Sequence, residues 1–255
     1  TTTALSGNVI VGATTVAAPD GSGISVYSSN HVIAENNFVA DTAWDGIRFY
    51  EGNDISANDN WVINADRSGM YFYRIDGVTA AGNIIDGTNS WYGIDASNSN
   101  AVSLLKNDIS NTSLAGINLT DLTGATTVNG NTVTNPGTDG IASYGVAELE
   151  LGDNTIDLAG NAGVHIRGPF YGQNTIYGNT VTDADTGMLF ESGLIDLTGA
   201  TNTINGGRLG YRFAPIMTRA GFTQVDLAGD TIGTTTFKGQ SSFYVELVNG
   251  ALFNP

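Results

Sequence analysis

The chain has 255 residues, 41% hydrophobic and 13% charged, with 9 Lys+Arg against 25 Asp+Glu for a net charge of −16. That balance argues against nucleic acid and anionic membrane as partners, because a phosphate backbone is held through clustered cations. It weighs equally against acidic polysaccharides, unless the few arginines gather on one face.

Taken from the N-terminus, residues 1–22 hold one apolar run, Val9-Ile10-Val11, and a turn at Ala17-Ala18-Pro19-Asp20-Gly21, and read as a first partial coil. From there a glycine followed by an apolar residue recurs: Gly23-Ile24, Gly46-Ile47, Gly69-Met70, Gly93-Ile94, Gly116-Ile117, Gly140-Ile141, Gly163-Val164, Gly187-Met188 and Gly210-Tyr211. The interval is 23 or 24 residues with no helical periodicity inside it, so one short unit is repeated and stacked. A second column, Asn36, Asn60, Asn83, Asn107, Asn131, Asn154 and Asn179, keeps nearly the same interval. Apolar or small residues stand three before each, as at Ile33, Ala57 and Leu104, and two after, as at Phe38, Val62 and Ile109. Each unit therefore reads as three short strands separated by turns: one after the glycine, one before the asparagine and one after it.

After each glycine the alternation has period 2. Ile47 and Phe49, Met70 and Phe72, and Val164 and Ile166 should point inward; Arg48 and Tyr50, Tyr71 and Tyr73, and His165 and Arg167 should point outward. Units stacked ~4.8 Å apart make three parallel sheets around one narrow core. The expected fold is an all-β solenoid, a single-stranded parallel β-helix of about nine coils in one domain. Its regular coils cover 23–190 and its irregular late coils 191–255.

The first four coils carry most of the large aromatics, including Tyr27, Trp44, Tyr50, Trp61, Tyr71, Tyr73, Trp91 and Tyr92. Outward rings beside Arg48 and Arg74 either stack on sugar faces or simply cover a β-surface. Coils five to eight are the most regular, with Asn118, Thr120, Tyr144, His165, Arg167 and Glu191 outward. The register then drifts. Gly207 is read as the asparagine equivalent after Gly187, with a loop at Ser192 to Thr201. Gln224-Val225-Asp226-Leu227, with Asp230 in the asparagine slot and Ile232 after it, reads as a ninth coil, and Phe243 to Leu247 as a further strand. No capping helix is visible, and the chain starts at Thr1 without an initiator Met or signal peptide. It is expected to be a processed chain or a piece of a longer one that stacks end to end.

Segments such as Gly130-Asn131-Thr132-Val133 and Gly178-Asn179-Thr180-Val181 resemble the repeat of the right-handed parallel β-helix family built from pectate-lyase-like coils. The resemblance covers nearly the whole chain. It implies right-handed winding and an asparagine column hydrogen-bonded along the stack, Asn tolerating left-handed geometry at that turn. Tyr92-Gly93-Ile94-Asp95 is similar to the start of the mannuronan C-5 epimerase motif, Tyr-Gly-Phe-Asp followed by Pro-His. Tyr92 and Asp95 match; Ala96 stands for the proline, Ser97 for the catalytic histidine, and Thr120 for the family's second aspartate one coil on.

Two groups of residues could carry function. Tyr144, Arg167 and Glu191 share one outward position in consecutive coils, with His165 two residues before Arg167. Histidine as base, tyrosine as acid and arginine on a uronate carboxylate would make a β-elimination site; Arg167 with Glu191 also reads as a plain surface ion pair. Arg48, Tyr50, Tyr71, Tyr73, Asp95 and Glu191 are the candidate carbohydrate contacts. His31 falls in an apolar slot and is expected to pack in the core or at its edge. No metal or cofactor is expected: no Cys or second His stands near His31, and Gly206-Gly207 is an isolated pair rather than a calcium β-roll repeat, so Ca²⁺ stays open with no site identified.

With no cysteine and no apolar run of membrane-spanning length, the chain suits a bacterial or phage exoprotein, extracellular or on the cell surface. The first functional reading is a structural or adhesive segment of a surface protein, filament or fibre whose outer face contacts a glycan. The alternative, which fold analogy alone supports, is a polysaccharide-active enzyme, a uronate lyase or C-5 epimerase.

Overall fold

The structure, a computed structural model, describes residues 2–13, 21–168, 173–191, 194–197, 201–214, 230–232, 235–237, 240–242 and 245–247. It is a right-handed parallel β-helix with no helix among the described residues. The glycine-led strands stack as Ile24, Ile47, Met70, Ile94, Ile117, Ile141, Val164, Met188 and Tyr211, one per coil. The strands after the asparagines form a separate 10-stranded sheet, and the other two faces join in a 16-stranded one.

That joining corrects the expected three-turn coil. In the first three coils the first two strands run on as one bent strand of 12 residues, Ile24–Glu35, Ile47–Asn58 and Met70–Ala81. From the fourth coil they separate, as Ile94–Ser97 and Asn100–Leu105. The corner is turned by pairs of positive-φ residues three apart: Ser28 and His31, Glu51 and Asp54, Arg74 and Gly77, Asn98 and Ala101, and Asp121 and Gly124. These bend the strand without needing a loop.

Parity is as expected. Ile47, Phe49, Met70, Phe72, Val164 and Ile166 are all fully buried, and Phe49 stacks on Phe72 with centroids 5.3 Å apart. The column glycines are needed for space. A Cβ on Gly116 would collide with the Val133 side chain and lie 2.9 Å from the Gly140 carbonyl oxygen, because the third sheet crowds against the first where the coil closes.

The asparagine column is a hydrogen-bonded ladder, with one correction of register. Its first-coil member is Asn37, not Asn36: Asn37 donates through its backbone N and Nδ2 to Asn60 Oδ1 at 3.1 and 2.8 Å. The flanking core residues are accordingly Ala34 and Val39 rather than Ile33 and Phe38. The left-handed position is the residue before the ladder. Asn36, Asp59, Gly82, Lys106, Gly130, Asp153 and Gly178 have φ of 52 to 67°. The ladder asparagines serve as donors and acceptors inside the turn. Asn107 is typical: its Oδ1 accepts from Asn83, and its Nδ2 donates to Asn131 Oδ1 at 2.9 Å and to the Ala80 carbonyl at 3.0 Å.

In the late coils the asparagine equivalent after Gly187 is Asn202, not Gly207: Asn179 donates to Asn202 Oδ1, and Asn202 in turn to Asp230 Oδ1 at 2.8 Å. Gly207 instead turns the chain with a φ of 71°. Asp230 fills the slot expected of it, and the strand Thr231–Ile232 follows. Part of the Ser192 to Thr201 loop, all of Gln224 to Leu227, and Phe243 and Tyr244 lie outside the described residues; Val245–Leu247 pairs with Leu209–Phe213. His31 is not a core residue. It occupies a corner with φ 53° and a side chain 58% exposed, its Nδ1 3.0 Å from Asp54 Oδ2, while Val32 takes the core position beside it.

Candidate functional site

Stacking the coils turns every outward position of the glycine-led strand into a column. The central one runs Arg48, Tyr71, Asp95, Asn118, Ala142, His165, Leu189 and Arg212. Two residues further on runs Tyr27, Tyr50, Tyr73, Ser97, Thr120, Tyr144 and Arg167. On the other border lie the turn residues that precede each glycine, among them Trp44, Arg67, Trp91 and Tyr92. These three columns make one strip along the solenoid, and its two halves differ.

The early half is aromatic and cationic. The Arg48 guanidinium lies 5.4 to 5.9 Å from the ring centroids of Tyr50, Tyr27, Tyr71 and Trp44. Arg67 is sandwiched between Trp44 at 4.4 Å and Trp91 at 4.2 Å, and Tyr50 stacks on Tyr73 at 5.0 Å. Cations over ring faces gain electrostatically from the ring quadrupole. Beside Tyr71 sits Asp95, only 2% exposed. Its Oδ1 accepts from the Ser97 hydroxyl at 2.7 Å and from Asn118 Nδ2 at 2.9 Å. Burial pushes its carboxyl up to about 6 despite those two bonds. Ala96 and Ser97, where the sequence leaves the epimerase-like motif, thus supply a core residue and a donor that holds Asp95. Burial, with the Asp95 charge second, raises the Tyr71 hydroxyl to about 12.

The later half holds the titratable cluster. Asp139, 5% exposed, anchors itself by accepting at Oδ1 from Asn161 Nδ2 at 2.7 Å and the Ala162 backbone N at 3.1 Å. Its Oδ2 lies 3.1 Å from His165 Nδ1. The Tyr144 hydroxyl is 3.3 Å from the same nitrogen, its ring edge-on to the imidazole. On the far side His165 Nε2 faces Glu191 Oε2 at 3.3 Å, a charge contact rather than an aligned hydrogen bond, and Arg167 Nε lies 3.7 Å from that oxygen. Burial disfavours the imidazolium, but the hydrogen bond and charge of Asp139, then Glu191, outweigh it and raise the His165 pKa overall. Burial, then the Asp139 and Glu191 charges, lifts the Tyr144 hydroxyl to about 12.

Tyr144, His165, Arg167 and Glu191 are therefore brought together, as are Arg48, Tyr50, Tyr71 and Tyr73. Asp95 stands apart from His165 by three coils, ~14 Å. Asp139 and the Trp44, Arg67 and Trp91 stack were not legible as site residues. All four lie in the turn before the glycine, which has no period-2 signal. Asp139 carried one clue, an acid directly before a column glycine where Ala115 and Ala162 stand in neighbouring coils.

The cations fall on the same strip. Arg48 and Arg212 lie in its central column, Arg167 beside it, Arg67 and Arg208 on the turn border and Arg74 at the corner, where it covers Tyr73 at 5.0 Å. Of the described cations only Lys106, beside the asparagine ladder, lies elsewhere.

The model of the right-handed β-helix region matches residues 3–133, just over half of the chain. The chain belongs to the right-handed β-helix family. A second model, that of the periplasmic copper-binding protein NosD, matches residues 87–208. Copper does not fit the donors of this β-helix over that span. His165 is the one histidine, there is no cysteine, and among the described residues no three His, Cys, Asp or Glu side chains are placed to hold a metal ion together. No curated protein matches the chain by sequence. Among solved structures, two mutants of the periplasmic alginate epimerase AlgG superpose with TM-scores of 0.56 at 20% and 19% identity, covering 86% and 88% of this chain. The β-helix spans about half of their length, 51% and 55%. The catalytic unit of an α-1,3-glucanase from Streptomyces thermodiastaticus matches with a TM-score of 0.48 at 16% identity, covering 92% of this chain and 48% of its own. At these identities the likeness is one of fold.

Proposed function

We propose that this β-helix binds an acidic polysaccharide along the outer strip of its glycine-led sheet and acts on it at the Asp139, His165 and Tyr144 cluster, outside the cell or in the periplasm. One observation carries the reading: in a chain of net charge −16, five of the seven described cations lie on the strip that holds the buried His165 and Asp139 pair, and a sixth, Arg74, lies at its edge. Arginines concentrated on one face are what an acidic glycan would need of so acidic a protein. The names of the superposed proteins, an alginate epimerase among them, point the same way.

The chemistry is abstraction of the proton on the carbon next to a uronate carboxylate. Neutral His165 takes that proton at Nε2 while Asp139 holds the Nδ1 proton and fixes the tautomer. Arg167, released from Glu191 by the substrate, neutralises the carboxylate as charge builds on it. Tyr144, kept protonated by its raised pKa, then either protonates the departing O4, giving an unsaturated product, or returns a proton to the carbon from the other face, inverting it.

The test is proton NMR of the protein with alginate, pectate, other uronates and neutral glycans over hours. New unsaturated or inverted uronate signals, lost in His165→Gln and in Arg167→Ala while both variants keep their folded circular dichroism spectrum, are expected. A second reading, an adhesive segment that holds the glycan unchanged, is favoured by Glu191: with a carboxylate at each nitrogen, His165 is stabilised as the imidazolium, which cannot act as a base. In that case the same spectra would show line broadening and no new signals.

A further inference from the structure

The stack of rings and arginines in the early half of the strip is not repeated in the coils that follow it. Where Trp44, Arg67 and Trp91 line the turn border in early coils, Leu114, Thr138 and Asn161 take the same positions later, and the later coils stack equally well without them. Nor does the core beneath require these rings. Phe49 and Phe72 are already fully buried, while Trp91 remains 36% exposed and Trp44 and Arg67 half-buried. Yet these side chains are held firmly, Arg67 by two indole faces and Arg48 among four rings. Ordering long side chains on a surface costs conformational entropy, so a rigid patch of flat faces and cations is organised for a ligand with flat apolar faces and negative charge.

Its distance from the reactive cluster gives this patch a consequence. Arg48 and His165 occupy the same column five coils apart, ~24 Å at the stacking interval of a parallel sheet. We infer that Arg48, Arg67, Trp44 and Trp91 form a distal subsite for the same polymer, so that the protein selects acidic polysaccharides by length and takes short oligomers poorly. A chain anchored at Arg48 reaches His165 only if it spans the five coils; a disaccharide occupies one half or the other. Between them Tyr71, Asp95 and Asn118 form the floor over which the chain would pass. The inference rests on the acidic-polysaccharide reading above and adds the length dependence to it.

The experiment is calorimetric binding of alginate and pectate oligomers, graded from disaccharide to decasaccharide, to the wild-type protein and to Arg67→Ala and Trp91→Ala. Both replaced side chains sit on an outer turn, and circular dichroism checks that each variant keeps its fold. Wild-type affinity should rise steeply up to the length that spans ~24 Å and be flat beyond. Each variant should lose about tenfold for long oligomers and nothing for trisaccharides, which can sit at the His165 end alone. Affinity independent of length, or equal weakening of short and long oligomers, would overturn the distal subsite while leaving the function intact. Absence of binding at every length would overturn the function and the subsite together.

Discussion

Asp95 is a carboxylate that the fold keeps from water on an outward face. Its folded pKa, about 6, lies above the ordinary value near 3.9, so the folded state holds the proton more tightly than the unfolded one. Its contribution to stability is fully present below about pH 4, is lost as pH rises towards 6, and leaves a standing cost at alkaline pH. Asp95→Asn keeps an acceptor for Ser97 and Asn118 and removes the charge. It should therefore raise the stability at pH 8, by roughly 1–3 kcal/mol, and have little effect at pH 4; the unfolding midpoints in thermal melts at the two pH values measure this. His165 has a linkage of the same sign, but through an ion pair rather than a neutral carboxyl. Its raised pKa makes the ion pair with Asp139 stabilising below about pH 6.5, and that stability is lost as pH rises through the folded value. Asp139→Asn should lower the pKa of His165, read from its imidazole proton shifts, and move the low-pH limb of any turnover profile to lower pH, because the base must be neutral.

At the scale of the coil, two repeated devices hold the stack, and each predicts a different failure. Gly116→Ala inserts a methyl between packed sheets, against the Val133 side chain and the Gly140 carbonyl, and should cost about 1–3 kcal/mol by overpacking. Asn107→Ala removes a buried donor and acceptor together, orphaning the amides of Asn83 and the carbonyl of Ala80, and should cost roughly 2–4 kcal/mol. Urea unfolding of both variants checks the order. The strands themselves were legible because a period of two survives in any half-buried strand, and Ile47, Arg48, Phe49 and Tyr50 show it plainly. The ladder was legible only to within a residue at its start: Asn36 and Asn37 have the same chemistry, and only the positive φ of the first separates turn from ladder. Asn202 was missed for Gly207 because both follow Gly187 at plausible distances, and what distinguishes them is the hydrogen bond from Asn179.

Over the whole molecule the decisive quantity is where charge lies rather than how much there is. A protein of net charge −16 repels polyanions at long range, while its arginine strip attracts them at contact, and salt screens both beyond a Debye length of about 10 Å at 0.1 M. Binding of acidic oligomers should therefore weaken with salt in proportion to the contacts made. Lys106→Glu, off the strip, should leave affinity and its salt slope unchanged, whereas Arg48→Ala should reduce both; titrations across a salt series measure this.

The amino-acid sequence by itself determined the solenoid, its three faces and which residues of the glycine strand look outward. Every coil must bury the same positions and stack at one spacing, so those constraints are written into the chain once per coil. The tertiary structure alone decided which outward residues are withdrawn from water and which meet. Asp139 joins Tyr144, His165 and Glu191, which the alternation alone puts on one face, because its side chain reaches from the turn of one coil to the strand of the next. That reach is set by local backbone angles and by the bulk of neighbouring side chains, neither of which has a period to read.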